Sequence, residues 1–435
     1  MLSLKKNIHL KKVITNAGIL LTGDIPANIF KLLSLSIFSH SLGAEKLGFY
    51  VLFLSFIEVI DRVFNFQTWQ AFIKFATDFL VKNERKNLLM LIKYSFLVDL
   101  ISLSIATVVS ISLSSFALNF FNIPYEYYGL LIFLSLTICF KIADLSTGIF
   151  RLYNRFAIQA KIAFYTSAIR FVLFGLVAFW QASFEAFIVA TVLTQLINML
   201  MKYFFANAVL NENGIRLIDT YNEKINLPLL KKLKVLSFIV YNNFDVAIRL
   251  VTTQLDIFML GRLFGAEVVS IYKITKESSK IILKVSSPVY QSVYPEFSKL
   301  IANNEFKLAK SMALKISIYA GMVGLFFYIF FYLFGEIFIS VAFGNEMIQA
   351  YSVSMVYILV VILTLISLPL PSLMHAMNLA KEAFYNQLVS SIIYIAVVYF
   401  LVLNFSIYGA AYSMIVYHFF WLVGSIFIIN QNKHL

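Results

Sequence analysis

Long, nearly unbroken apolar blocks alternate with short polar connections along the whole chain. Each block is long enough for a helix that crosses a bilayer, which needs ~20 mostly apolar residues. Twelve such spans are predicted, at 13–39, 47–70, 94–116, 128–150, 162–181, 184–206, 235–260, 274–298, 312–334, 352–378, 383–403 and 407–429. The first, seventh and eighth are the least apolar. An outer-membrane barrel is disfavoured, because its strands alternate in short segments instead of running continuously apolar. The pattern therefore predicts an all-α polytopic membrane protein of about twelve transmembrane helices. The longest connection, 207–234, divides it into an N-terminal six-helix bundle (1–206), a cytoplasmic linker (207–234) and a C-terminal six-helix bundle (235–435).

Composition agrees. Of the 435 residues, 60% are hydrophobic and 13% charged, against roughly 45–50% apolar usage in soluble domains. The formal charge of +13 would suggest nucleic acid in a soluble protein. Here its distribution along the chain gives a different answer. Lys and Arg gather on alternate connections: Lys5 to Lys12, Lys74 to Lys93, Arg151 to Lys161, Lys202 to Lys234, Lys299 to Lys315, Lys381 and Lys433. The other connections hold only Lys46 and Arg262. Cytoplasmic loops collect basic residues, so both termini are expected in the cytoplasm and no nucleic-acid partner is expected. Lys231, Lys232 and Lys234 read first as part of this orientation signal, with contact to anionic membrane lipid as the other reading. No cleavable leader is expected, because the apolar block after Lys12 lacks a small-residue cleavage site. The single Cys139 excludes an internal disulfide and is expected to be a small packed hydrophobe.

The two halves share a short repeat. Gly43-Ala44-Glu45 precedes Tyr50, and Gly265-Ala266-Glu267 precedes Tyr272 at the same spacing. Both copies fall on the turn between the first two spans of a half. Two six-span copies of one orientation predict a parallel pseudo-two-fold repeat, a transporter design with its substrate site between the halves.

A charge at the centre of a span costs about 2.5–3.5 kcal/mol, so intramembrane charges face the protein interior or water. Most of them fall on spans one, two, seven and eight, which correspond under the repeat. Lys31, Arg62, Arg249, Lys276, Lys280 and Lys284 are the candidates for one cationic cavity. Lys276, Lys280 and Lys284 form a stripe at i, i+4, i+8, and Arg62 is expected to face it. Arginine and lysine are natural phosphate binders, so such a cavity suits a polyanionic head group. Lys141 with Asp144, and Asp245 with Arg249, have the spacing of pairs on one helix face. Asp24, Glu58, Asp61 and Asp256 are candidates for carrying a coupling H+ or Na+. A carboxylate stripped of water holds a proton more readily, as a carrier must. Balance of Lys31 or Arg62 is the other reading of these carboxylates, and the sequence leaves both open. Pro26, Pro288, Pro295 and the Pro369-Leu-Pro371 run mark expected kinks.

No motif for ATP binding, nucleophilic hydrolysis or metal ligation is found, so neither an enzyme nor a bound cofactor is expected. The outer connections look short, the longest running from about Phe334 to Tyr351. That leaves little room for the acceptor of a membrane glycosyltransferase.

At this point a family resemblance emerges. Gln254-Leu-Asp256-Ile-Phe-Met-Leu-Gly261, then Gly265-Ala-Glu267 with Tyr272, then Pro295-Glu-Phe-Ser298 resembles spans seven and eight of the bacterial polysaccharide flippases. These belong to the multidrug/oligosaccharidyl-lipid/polysaccharide exporter superfamily. Gly43-Ala-Glu45 with Gly48-x-Tyr50 is similar to the first-half counterpart, whereas Ser270 replaces the glycine in the second copy. The resemblance implies a secondary transporter with two bundles and alternating access. Its implied cargo is an undecaprenyl-diphosphate-linked oligosaccharide, an O-antigen or capsule repeat unit of lipopolysaccharide or polysaccharide biosynthesis. It further implies the bacterial inner membrane and polysaccharide polymerase machinery as a partner. The alternative in the same superfamily is a cation-coupled multidrug exporter, which the excess of intramembrane cations opposes.

Overall fold

A computed structural model describes residues 2–180, 183–285 and 287–432. These are helical nearly throughout. The chain divides into two compact units, one of Met1–Leu21, Gly43–Val51 and Val251–Leu435, the other of Thr22–Leu42 and Leu52–Leu250.

The second unit holds most of the N-terminal half. Its helices are the middle and end of α1 (Leu2–Phe64), then α2 (Trp69–Val81), α3 (Arg85–Phe120), α4 (Tyr128–Ser135), α5 (Leu145–Leu152), α6 (Phe156–Trp180) and α7 (Phe184–Glu212). A 3₁₀ stretch, Leu136–Asp144, joins α4 to α5 into one rod. Two short helices follow, α8 (Leu217–Asn222) and α9 (Leu227–Lys232), before α10 (Val235–Phe264) begins.

Here α2 departs from the sequence reading, which left 71–93 as a charged loop. Phe72, Phe75, Ala76 and Phe79 repeat at helical spacing and are all buried, so an amphipathic helix forms to hide them. They pack with Leu88, Leu91, Ile149 and Phe150 in a core that also takes Ile215 and Leu230 from the 207–234 connection. That connection is thus folded onto the unit. Lys93 Nζ donates to the carbonyls of Tyr221 and Glu223 at 2.7 and 2.9 Å, and Arg85 to that of Gly214 at 2.6 Å. These basic residues hold structure as well as marking orientation. Asp99, buried on α3, accepts from Thr68 N at 3.1 Å and Thr68 Oγ1 at 2.9 Å, and so fixes the start of α2. Cys139 is exposed, with Sγ 3.2 Å from Thr107 Oγ1; the 3₁₀ winding turns it outward instead of into the core.

The first unit carries the rest of α10, then α11 (Ala266–Ser279), α12 (Ile281–Val285), α13 (Ser287–Ala302), α14 (Phe306–Phe343), α15 (Gln349–Ser367), α16 (Pro369–Ala376) and α17 (Ala380–Gln431). α15 stops at Ser367 and α16 starts at Pro369, because proline offers no N–H to continue the ladder. The 334–351 connection expected as a loop is mostly helix: α14 runs to Phe343, and a 3₁₀ turn, Asn345–Met347, leads into α15.

Two long helices contain sharp breaks. α1 turns at Gly43 and α17 at Ser406. Counted across these breaks, with α4 and α5, α11 to α13, and α15 and α16 each taken as one and the short α2, α8 and α9 left aside, the described residues form twelve rods in the predicted order. Seven helical stretches pass as spans on length and hydropathy, and one of them, Ala380–Gln431, contains two rods. The chain is a multi-pass, all-α membrane protein.

Gly43 has φ 76° and ψ −177°, and Gly265 has φ 85° and ψ −179°. This region is essentially open to glycine alone. The repeat read from the sequence therefore has one backbone conformation in both copies. Gly48, five residues after the first turn, lies so near the second that an added Cβ would stand 1.9 Å from the Ala266 carbonyl oxygen. Both belong to the first unit.

Candidate functional site

The intramembrane charges separate into two groups, one in each unit. In the first unit, α10 and α11 run antiparallel through the Gly265 turn. Asp256 and Lys276 stand at nearly equal distances from it and meet across the hairpin. Asp256 is fully buried, and Lys276 is 6% exposed. Lys276 Nζ lies 2.8 and 3.2 Å from the two carboxylate oxygens and donates to the Thr253 carbonyl at 3.0 Å. The Tyr272 hydroxyl donates to Asp256 at 2.7 Å and the Ile257 N–H at 2.9 Å. The carboxylate is saturated, as a buried charge must be to offset its lost hydration. Tyr357 stands edge-on to Tyr272 at 6.0 Å between ring centres.

The expected lysine stripe is interrupted. α11 ends at Ser279 and a new helix begins at Ile281, so Lys276 and Lys280 do not share one continuous helix. Lys280 Nζ sits 5.7 Å above the Tyr357 ring, in cation–π range. The side chains of Lys284, Arg249 and Asp245 lie outside the described residues, as do those of Pro288 and Pro295.

In the second unit, Arg62 pairs with Glu58 at 3.6 Å, both half-exposed. Asp61, buried, receives Lys141. Asp144 receives Lys202. The expected Lys141–Asp144 pair is thus replaced by two longer-range pairs. A carboxylate as buried as Asp61 needs a counter-charge, and Lys141 reaches across to supply it. Asp24 is exposed on α1, and its backbone carbonyl accepts from Asn28 at 2.7 Å. Pro26 sits within α1 without ending it.

Lys31 lines a cavity of about 280 Å³ inside this unit, between α1, α5, α6 and α7. Two more cations, Arg170 and Lys202, reach it. Gln159, Gln195 and Asn198 supply amides, and Thr147, Thr166, Ser167 and Thr194 supply hydroxyls. On α6 the polar positions 159, 166 and 170, and on α7 the positions 194, 198 and 202, fall on one face of each helix. Arg170 and Asn198 stand about fourteen residues, roughly 21 Å of helix, from the starts of α6 and α7, the depth of the bilayer interior. Arg170 lies 4.9 Å above the Phe174 ring. The amide oxygen of Gln159 is buried and has no hydrogen-bond partner among the described residues.

Of the candidates named from sequence whose side chains are described, only Lys31 reaches this cavity. Gln159, Gln195 and Asn198 were missed because they carry no charge, and Lys202 because it was assigned to a connection. Their spacing on α6 and α7 was the available signal. Such a cavity can hold an anionic, hydroxyl-rich group out of bulk water. Among the described residues no His, Cys, Asp and Glu cluster suited to a metal ion is found.

Known proteins of the same fold are membrane transporters. An inward-facing multidrug resistance MATE family transporter of the MOP superfamily matches with a TM-score of 0.75 at 13% identity, over 95% of this chain and 99% of that one. The lipid II flippase MurJ, in an inward closed conformation, matches with a TM-score of 0.68 at 13% identity, over 94% of this chain and 87% of that one. At such identities the likeness is one of fold. The inner membrane protein YghQ of Escherichia coli (strain K12) is 22% identical over 351 residues, 78% of this chain and 95% of that protein. The family described as polysaccharide biosynthesis protein matches residues 13–301, well over half of the sequence. By that match, and in accord with the resemblance carried by its own motifs, the chain belongs to the polysaccharide biosynthesis protein family.

Proposed function

We propose that the protein is a flippase that carries an undecaprenyl-diphosphate-linked oligosaccharide, an O-antigen or capsule repeat unit, across the bacterial inner membrane by alternating access. The observation that carries this reading is the polar cavity at membrane depth, with Lys31, Arg170 and Lys202 beside amides and hydroxyls. Isolated charges at such depth are costly, and cations grouped around open space suit a phosphate-bearing, sugar-bearing cargo. The polyprenyl tail stays in lipid. Organic cations, the cargo of a multidrug exporter, would be repelled by the same groups.

The basic connections support cytoplasmic termini, and a polysaccharide polymerase is the natural consumer of the product. Coupling to a proton or sodium gradient belongs to the same reading. Glu58, Asp61 and Asp256 are each held by a cation, which would have to move before an ion could bind. Asp24, Glu58, Asp61 and Asp256 are the candidates for that role.

The test is export in cells and in proteoliposomes under imposed proton or sodium gradients. Arg170→Gln and Lys31→Gln should insert normally, lower export at least ten-fold, and leave lipid-linked units on the cytoplasmic side. Replacement by the amide at one of Asp24, Glu58, Asp61 or Asp256 should abolish the response to the gradient. Full export by both cation variants overturns the reading.

A further inference from the structure

The cavity in the second unit is polarised along its length, and the two ends differ in chemistry. α6 and α7 are antiparallel, as the 5.0 Å contact between the Phe174 and Phe187 rings requires. One end of the cavity therefore carries Gln159 and Lys202, the latter tied to Asp144. Thr166, Gln195 and Asn198 occupy the middle. Arg170 marks the other end, eleven residues up α6 from Gln159, about 16 Å at 1.5 Å per residue. Lys31 belongs to this Arg170 end. Its neighbour Phe30 packs on both Phe164 and Phe171, with ring centres 5.7 and 5.5 Å away. One end thus presents two cations, the middle presents neutral donors and acceptors, and the far end holds Lys202 paired with Asp144.

We infer that this cavity is a recognition pocket for a glycosyl phosphate. The phosphate lodges against Arg170 and Lys31, and the hydroxyls of the attached sugar are read by Thr166, Gln195 and Asn198, with the Gln159 carbonyl oxygen as a further acceptor. The inference rests on the flippase reading and names the part of the cargo that this cavity holds. Arginine's planar fork matches phosphate oxygens, and each amide offers two donors and an acceptor. At 280 Å³ the space lies at the small end of ligand pockets, roughly 300–1,000 Å³. The division of labour has a consequence. The cations read the phosphate, whichever sugar it carries, whereas a site built to hydrogen-bond hydroxyls rejects an analogue that lacks or misplaces one. Affinity lies at the Arg170 end and sugar choice in the middle.

The experiment is binding to the purified full chain in detergent by calorimetry. The probes are glucose 1-phosphate, galactose 1-phosphate, N-acetylglucosamine 1-phosphate, the free sugars, inorganic phosphate and glucuronate. At least one sugar phosphate should bind ten-fold or more tighter than inorganic phosphate and than its own free sugar. Asn198→Ala should reduce discrimination among the sugar phosphates to less than three-fold with phosphate affinity unchanged. Arg170→Gln should weaken every sugar phosphate at least ten-fold, with Arg170→Lys recovering part of it and the thermal midpoint unchanged. Equal binding of inorganic phosphate and all sugar phosphates, intact discrimination in Asn198→Ala, or absence of binding overturns the inference. Glucuronate binding as tightly as the best sugar phosphate overturns the assignment of the phosphate. Loss of export in Arg170→Gln without selective binding would sink the pocket and leave the flippase reading standing. Selective binding with normal export would do the reverse.

Discussion

Each unit holds one group of intramembrane charges that differs from the other in its surroundings. In the first, Asp256 and Lys276 are locked together in a packed core, with Tyr272, Ile257 N–H and the Thr253 carbonyl completing their hydrogen bonds. In the second, Lys31, Arg170 and Lys202 line an open cavity together with amides and hydroxyls, and Lys202 is also paired with Asp144. The same residue types serve two ends. A saturated pair fixes a hairpin, whereas cations arranged about a cavity are placed for something that arrives. Charge inside a membrane is thus a sign of function only where packing has not consumed it.

The largest effect should follow from breaking the saturated pair. Asp256→Asn leaves the Lys276 ammonium buried without its counter-charge. Removing one partner of such a pair costs about 3–5 kcal/mol, read as a lower thermal midpoint or as lost folded yield. Adding Lys276→Met should recover much of the loss, because no unpaired charge then stays buried. A silent Asp256→Asn would end the comparison, since the first unit's charges would then be no more structural than the second's.

A smaller effect should come from the repeated turns, where the halves agree. Gly265→Ala places a side chain on a backbone region costing of order 1–3 kcal/mol for other residues. Gly43→Ala should cost the same or slightly more, since its Cβ would stand 3.1 Å from the Glu346 carboxylate, while the one at Gly265 meets nothing within 4 Å. Thermal unfolding of the two variants side by side checks this. A cost confined to one of them would mean that the turns, despite matching dihedrals, are held differently.

Much of this was legible in the sequence. Twelve rods follow from apolar run length, because the bilayer sets the length of a helix and leaves little choice. The Gly-Ala-Glu repeat announced both turns. Even the Asp256–Lys276 pair could be drawn once Gly265 was taken as the tip of a hairpin, since the two are nearly equidistant from it. Other features depend on packing between helices far apart in sequence. Lys141 meets Asp61 across 80 residues, and no local spacing announces that. α2 stayed hidden because lysines flank its phenylalanine face, and the lysines drew attention to a loop. The cavity was half-visible: Lys31 was counted as an intramembrane charge, while the amides beside it carried no sign to count.

The smallest effect on stability should come from those amides, and here the comparison is sharpest. Polar contacts between membrane helices are worth about 0.6 kcal/mol on average. Gln195→Leu and Asn198→Leu should therefore change the thermal midpoint by about one or two degrees at most. Their transport should nevertheless fall, since they line space rather than fill a core. If instead Asn198→Leu unfolded the protein as Asp256→Asn is expected to, the amide would be part of the scaffold. The cavity and the packed pair would then be two versions of one structural device, and the difference in their surroundings would carry no functional meaning.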